Sequence, residues 1–249
     1  VTPVNAVSVD QPGYGSQALD GVRRKINRAQ ATLRAGGMGA LLCVAVRRTL
    51  LNRNPVLCCG KFYICRLRRL RDINLRLPYR VCLANQADLE QLAGRFPDQT
   101  RAIAERWQRG QQCLLVKFGG AIVGSTWLVQ GLQEVDTAYG WRFRLPKGGG
   151  IWCHNNFVEP QHRLRGAFLS GMRGMWEFAR SNGQPALYGT IDALNEVSLR
   201  AHRAAGWEVA ATVRFLAVLG FRVFLATSAG GGLSVSVRFA PIVRGRHLV

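Results

Sequence analysis

From residue 79 onward the apolar positions of the chain switch repeatedly between strand-like runs and helical stripes. Tyr79–Leu83 reads as a strand, and Asp88 and Glu90 open a helix that ends near Gly94. Pro97–Arg109 reads as a second helix, stopped by Gly110. Cys113–Phe118 and Ala121–Val129 flank Gly119–Gly120, whose freedom at positive φ suits a two-residue hairpin turn. Residues 131–149 are polar and glycine-rich with one short strand at Tyr139–Leu145, and Ile151–Val158 is a strand closed by Pro160. Phe168, Leu169, Met172, Met175, Trp176 and Ala179 then fall on one side of a helix that Gly183 caps. Ala186–Ile191 is a short strand and Leu194–Ala205 a second amphipathic helix ended by Gly206. Trp207–Leu219 and Phe221–Thr227 are strands, and Leu233–Phe239 is one more. The order predicts an α+β fold with mixed strands, a central sheet flanked by helices.

The N-terminal third looks different. Residues 1–20 suggest a loose arm. Residues 21–77 suggest a basic helical extension, Val22–Arg34 and Met38–Asn52, with a strand around Phe62, Ile64 and Leu67 where Arg66 and Arg68 interleave. The expected division is therefore a basic extension at 1–78, the main domain at 79–227 and a tail or extra strand at 228–249. Across the 249 residues, 48% hydrophobic against 19% charged content excludes a disordered chain. The longest apolar stretch, Met38–Val46, is about half of what a bilayer crossing needs. These features lead to the expectation of a soluble, cytoplasmic protein.

The net charge of +20 is concentrated: residues 22–80 hold 15 Lys and Arg against a single acid, Asp72. Such a block attracts an anionic partner, an acidic carrier protein or a membrane surface among them. Seven cysteines, at 43, 58, 59, 65, 82, 113 and 153, show no zinc spacing and read as reduced, mostly buried thiols, so no metal is expected. Cys153 precedes His154, but neighbours along a strand face opposite ways, which makes Cys153 a structural residue in this reading.

Two segments carry candidate chemistry. In Val158-Glu-Pro-Gln-His-Arg-Leu-Arg-Gly-Ala167 a strand ends, an Arg/Gly-rich turn follows and a helix begins. The free N–H groups of such a helix start can cradle a pyrophosphate. Further on, Asn195, Ser198 and His202 form a polar stripe beside the apolar positions Leu194, Val197, Ala201, Ala204 and Ala205. Gly206–Trp207 then turns the chain into a strand.

These residues resemble the GNAT superfamily of acyl-CoA N-acyltransferases. Val158, Pro160, Arg163 and Gly166 match its pattern V-x-P-x-x-R-x-x-G-x-G/A, with Phe168 where a small residue is usual. Asn195, Ser198, Gly206 and Trp207 match N-x-x-A/S-x-x-x-Y-x-x-x-G-F/W, with His202 in the tyrosine position. The resemblance covers about Tyr79 to Thr227. It implies a splayed sheet with acetyl-CoA, or a longer acyl-CoA, wedged between two diverging parallel strands. The pantetheine arm would pair with Phe157–Val158, and the pyrophosphate would lie on Arg163, Leu164, Arg165, Gly166, Ala167 and Phe168. Asn195 would also contact the cofactor. His202 would protonate the leaving thiolate, and His154, Glu159 or Asp192 would serve as base.

The leading expectation is an N-acyltransferase, most simply an N-acetyltransferase, acting on a small-molecule primary amine. A second is a long-chain N-acyl amino acid synthase fed by an acidic acyl carrier protein that docks on residues 22–80, at the periphery of a membrane. A third is a nucleic-acid-binding protein. The arginine block favours it, but no RNA-binding or zinc-finger signature accompanies it, and Phe62, Tyr63 and Tyr79 are too few for a base-stacking platform.

Overall fold

The computed structural model describes residues 57–71, 78–131, 134–136, 141–146, 148–163, 165–218 and 221–239, all within a unit spanning Pro55–Val249. The expected arm and the two expected N-terminal helices lie outside the described residues, as does Leu164.

The described strands are β1 (Leu57–Leu67), β2 (Arg80–Leu83), β3 (Gln112–Phe118), β4 (Ala121–Val129), β5 (Glu134–Asp136), β6 (Arg142–Arg144), β7 (Ile151–Val158), β8 (Leu187–Asp192), β9 (Glu208–Val218), β10 (Phe221–Ser228) and β11 (Leu233–Phe239). The helices are α1 (Gln86–Arg95), α2 (Thr100–Gln108), α3 (Ala167–Ser181) and α4 (Glu196–Ala204). The main sheet runs β11-β10-β9-β1-β8-β7-β4-β3-β2, and β5 and β6 form a separate hairpin.

Local sequence explains most of these boundaries. Asn85 caps α1, accepting from the Asp88 N–H at 2.9 Å while the Asp88 carboxylate accepts from the Asn85 N–H, a reciprocal capping box. Gly119 and Gly120 take φ of 55° and 86° in the β3–β4 turn, as that hairpin requires.

Both faces of the sheet's central strands are covered. On one, α3 and α4 bury Met172, Met175, Leu199 and Trp207 against Cys65, Leu67, Ile151, Cys153 and Leu187. On the other, α1 and α2 cover β3 and β4 through Leu89, Leu92 and Ile103, and the β5–β6 hairpin covers Phe62, Trp152, Tyr188 and Phe215. The single strand expected at Tyr139–Leu145 is thus one arm of a hairpin, Glu134–Asp136 with Arg142–Arg144.

The boundary expected at residue 79 also needs correction. β1 pairs antiparallel with β8 on one side and β9 on the other, so a strand assigned to the basic extension is central to the sheet. Its side chains explain why. Phe62 and Ile64 face the hairpin and Cys65 and Leu67 face the helices, so the strand is apolar on both sides. At the far end β11 extends the sheet through β10.

The helix α3 lies close against the sheet because Gly171 and Gly174 carry no side chain there. A Cβ on Gly171 would come within 3.3 Å of Val116, and one on Gly174 would press into Val81. Met172, fully buried beneath this helix, receives the Trp207 indole N–H on its sulfur at 3.2 Å. Met172→Ala is expected to cost about 2–5 kcal/mol of stability, measured as a shift of the urea unfolding midpoint. An unchanged midpoint would contradict this packing.

Candidate active site

β7 and β8 are the parallel pair of the described sheet, and their ladder stops early. Ile151 pairs with Leu187, Trp152 with Tyr188 and Cys153 with Gly189, and there it ends. His154–Val158 continue along β7 with no β8 partner, so the strands diverge and one backbone edge of β7 is left open. A bulge on the other edge accounts for the divergence. Ser125 of β4 pairs with Phe157 and Trp127 with His154, leaving Thr126 opposite both Asn155 and Asn156. Asn155 takes a left-handed conformation, φ 51°, which asparagine tolerates better than most residues. A bulge bends the strand that carries it.

Side chains hold the bulge in place. The Thr126 hydroxyl donates to Asn156 Oδ1. Arg106 of α2 donates to Asn155 Oδ1 through both terminal nitrogens, with the amide turned to accept them, and its guanidinium lies 5.4 Å from the Trp127 ring centre. Neither Arg106 nor the bulge was anticipated from sequence; Asn155–Asn156 inside an otherwise apolar strand is the signal that could have shown it.

β7 leads directly into the arginine-glycine turn. After a 3-10 turn at Pro160–His162, Arg163 Nε donates back to Val158 O at 2.9 Å. Gly166 stands before α3 at φ 94°, where a side chain would be strained, and no side chain caps the helix. The first N–H groups of α3 thus lack a side-chain cap, and the exposed Arg163 and Arg165 stand beside them in sequence. Ala167 is buried against Val116 and Val123, which seats the helix start on the sheet.

The bulky Phe168 turns sideways. Its ring meets the His202 ring edge-on at 5.1 Å, and His202 in turn meets Trp207 at 5.3 Å. The buried face of α4 differs from the expected one: Leu199 and His202 are buried, as is the expected Ala205 just past the helix end, while Leu194 and Val197 are exposed, Val197 by 61%. Of the stripe taken as polar, His202 packs inward, where its imidazole fills the space between two aromatic rings, while Ser198 is half-buried and Asn195 is exposed. Asn195 likewise acts locally, its Oδ1 accepting from Ser198 N at 3.2 Å as the cap of α4.

The four proton-transfer candidates are each engaged. His202 Nδ1 donates to Ser198 O at 2.7 Å, and burial lowers its pKa, a shift only partly opposed by that bond. A neutral ring with its N–H spent inside the helix offers no acidic proton. His154 Nε2 pairs with Gln111 Oε1 at 3.0 Å, and burial together with the Arg106 charge pushes it down to about 4. Glu159, buried at the end of β7, forms an ion pair with Arg95 on one oxygen and accepts from Gln161 Nε2 at 2.9 Å on the other. His162 stands 3.8 Å from the same carboxylate and meets the Tyr79 hydroxyl at 3.1 Å. Asp192 Oδ1 accepts from Leu194 N at 2.9 Å, shaping the turn into α4. Cys153 is buried with the helix-side core, and desolvation raises its thiol pKa, in keeping with a structural role.

A small cavity of about 10 Å³ lies between α3 and the β4–β7 pair, with Thr126, Asn156, Phe157, Val158, Phe168 and Met175 among its walls. A larger open depression of about 420 Å³ lies apart from the bulge, between Arg69–Arg71 and Gly206–Glu208. Its one lining carboxylate, Glu208, already pairs with Arg66.

No family model and no curated protein matches the chain. Among solved structures it is similar to the GNAT acetyltransferases. The aminoglycoside N-acetyltransferase AAC(6')-Iy in complex with CoA is 18% identical, over 52% of this chain and 91% of that one, with a TM-score of 0.43. A GNAT-family acetyltransferase from Novosphingobium aromaticivorans is 12% identical, over 66% and 68% of the two chains, with a TM-score of 0.45. The ribosomal-protein-alanine N-acetyltransferase of Brucella melitensis is 16% identical, over 50% and 88%, with a TM-score of 0.39.

Because His154 and His202 are both held below the ordinary 6.5, the unfolded chain binds more protons than the folded one as pH falls below that value. Stability should be fully present above about pH 7 and decline from 6.5 towards about 4, by at most about 1.4 kcal/mol per pH unit for each histidine. Urea midpoints at a series of pH values check this, and His154→Gln should flatten the decline. An unchanged slope would contradict the burial of this ring.

Proposed function

We propose that the chain is a GNAT-type N-acyltransferase that moves an acyl group, acetyl in the simplest case, from acyl-CoA to a primary amine. The observation that carries this reading is the open β7 edge from His154 to Val158, running into the uncapped start of α3 at Gly166. An extended amide chain such as pantetheine can complete the missing ladder on Phe157–Val158. Its pyrophosphate would meet the N–H groups of Ala167 and Phe168 together with Arg163 and Arg165. Since the cavity between α3 and the end of β7 has room for only about one water, entry of the arm there requires Phe168 to swing away from His202.

The chemistry then needs little from side chains. A neutral amine attacks the thioester carbonyl carbon, forming the C–N bond. A backbone N–H of the bulged strand holds the developing oxyanion, the C–S bond breaks, and the ammonium proton passes to water. An ordinary thiol has a pKa near 8.5, so its thiolate is an acceptable leaving group without a donor. On this reading His202 and His154 position Phe168 and the bulge, and Glu159 anchors the turn through Arg95. The dependence of kcat/KM on pH should follow the free-base fraction of the amine, with no inflection from a histidine. His202→Gln and His154→Gln should keep most of kcat. Loss of about 10²-fold or more in kcat for either variant would restore it as an acid or base.

Isothermal titration should show acyl-CoA binding that weakens by about 10- to 100-fold in Arg163→Glu/Arg165→Glu, the loss of two charge-assisted contacts. Failure of the unaltered protein to bind any acyl-CoA would end the assignment. The basic segment 22–80 supports a second reading, in which an acidic acyl carrier protein delivers a long-chain acyl group. In the same titration series, turnover with a long-chain acyl carrier substrate exceeding that with acetyl-CoA would favour this donor.

A further inference from the structure

The strands β9, β10 and β11 turn one face to the core, where Val213, Phe215, Phe224 and Ala226 are buried. Their other face is also apolar. The ladder aligns Leu216, Val223 and Val237 in one row, Arg214, Leu225 and Val235 in the next, and Thr227 with Leu233 beyond them. Leu233, Val235 and Val237 are 70%, 58% and 63% exposed, and Leu216, Phe221 and Leu225 stand about half out of the protein on the same side. Together they offer on the order of 500 Å² of apolar surface, near the upper limit for a monomer's largest patch.

β11 shows that this face is built rather than incidental. Its alternation places Ser234 and Ser236 on the core side and the three aliphatic side chains outside. A slip of one residue would exchange them, yet the paired register keeps the apolar set outward. Charge identifies the partner. From Val209 to Val249 the chain contains no acid; of its five arginines, Arg214 lies on the outer face, Arg222 and Arg238 pair in a row of the opposite face, and Arg244 and Arg246 lie outside the described residues. Arg214 is exposed in the middle of the outer face, beside Leu225. A second copy of the chain would set arginine against arginine, which like-charge repulsion opposes. An anionic bilayer offers apolar depth beneath a layer of phosphate. β11 is the last strand of the described sheet, and the polar backbone groups of such an edge require water, so seating is shallow, at the level of the headgroups.

We propose that the outer face of β9–β11 docks on an anionic lipid bilayer, with Leu225, Leu233, Val235 and Val237 at the boundary between headgroups and acyl chains and Arg214 on a lipid phosphate. This surface is independent of the acyl-transfer reading. The test is co-sedimentation of the full chain with vesicles of phosphatidylcholine alone or with about one-third phosphatidylglycerol. Binding should require the anionic lipid and persist in part at about 0.5 M salt, where attraction between exposed charges is largely screened. Leu225→Ser/Val235→Ser should reduce the bound fraction at least about 10-fold with an unchanged unfolding midpoint. Leu233→Asp, at the exposed tip, should do the same if the double variant does not fold. Undiminished binding by folded variants would assign any vesicle attraction to another basic surface and overturn the proposal. So would failure of the unaltered chain to bind anionic vesicles, or a dimer in sedimentation that the same substitutions split.

Discussion

The arrangement of the candidate site depends on an interrupted hydrogen-bond ladder. Parallel strands that stay paired leave no room between them, and β7 and β8 are held together only as far as Cys153 and Gly189. Beyond that point one extra residue at Asn155–Asn156 takes up the contact with β4 and bends β7. The resulting edge is a row of backbone donors and acceptors without partners from β8. Leaving such groups unpaired in the interior would be costly, and the divergence is sustainable because residues 154–158 are half-buried or exposed, where water can reach them. Arg106, clamped between Asn155 and Trp127, fixes the bend from α2, and its charge adds to burial in lowering the pKa of His154.

A second layer of packing sets the entrance. α3 approaches the sheet across Gly171 and Gly174, which brings its uncapped start next to the end of β7. The aromatic run Phe168, His202 and Trp207 then joins α3 to α4. Any displacement of Phe168 would therefore disturb the packing of α4. The Glu159–Arg95 pair does comparable work for the turn, tying the end of β7 to α1.

Much of this was legible in the sequence, for physical reasons. Residues 151–158 and 167–181 carry strong periodicity and clear terminators, Pro160, Gly166 and Gly183, so strand, turn and helix could be placed nearly to the residue. The identity of the inward face of α4 was not legible. Its apolar Val197 is exposed and its histidine buried, a choice made by the neighbouring rings rather than by hydrophobicity. The partners of the proton-transfer candidates were not legible from residue type either, because Gln111, Arg106, Ser198 and Arg95, which engage His154, His202 and Glu159, come from other elements or from backbone atoms. Strand β1 was recognised locally but misplaced, since arginines between its apolar residues resemble those of the basic segment before it.

The position of β1 bears on how the molecule is made. Phe62 must find Asp192 on one side and Val213 on the other, partners more than about a hundred positions away along the chain. During synthesis that strand emerges early and has nothing to align with until nearly all of the sheet has left the ribosome. Loop closure over such a span is entropically slow. The interval exposes Phe62, Ile64 and Leu67 to wrong associations, which makes the nascent chain a natural client of chaperones until its middle strand slots home.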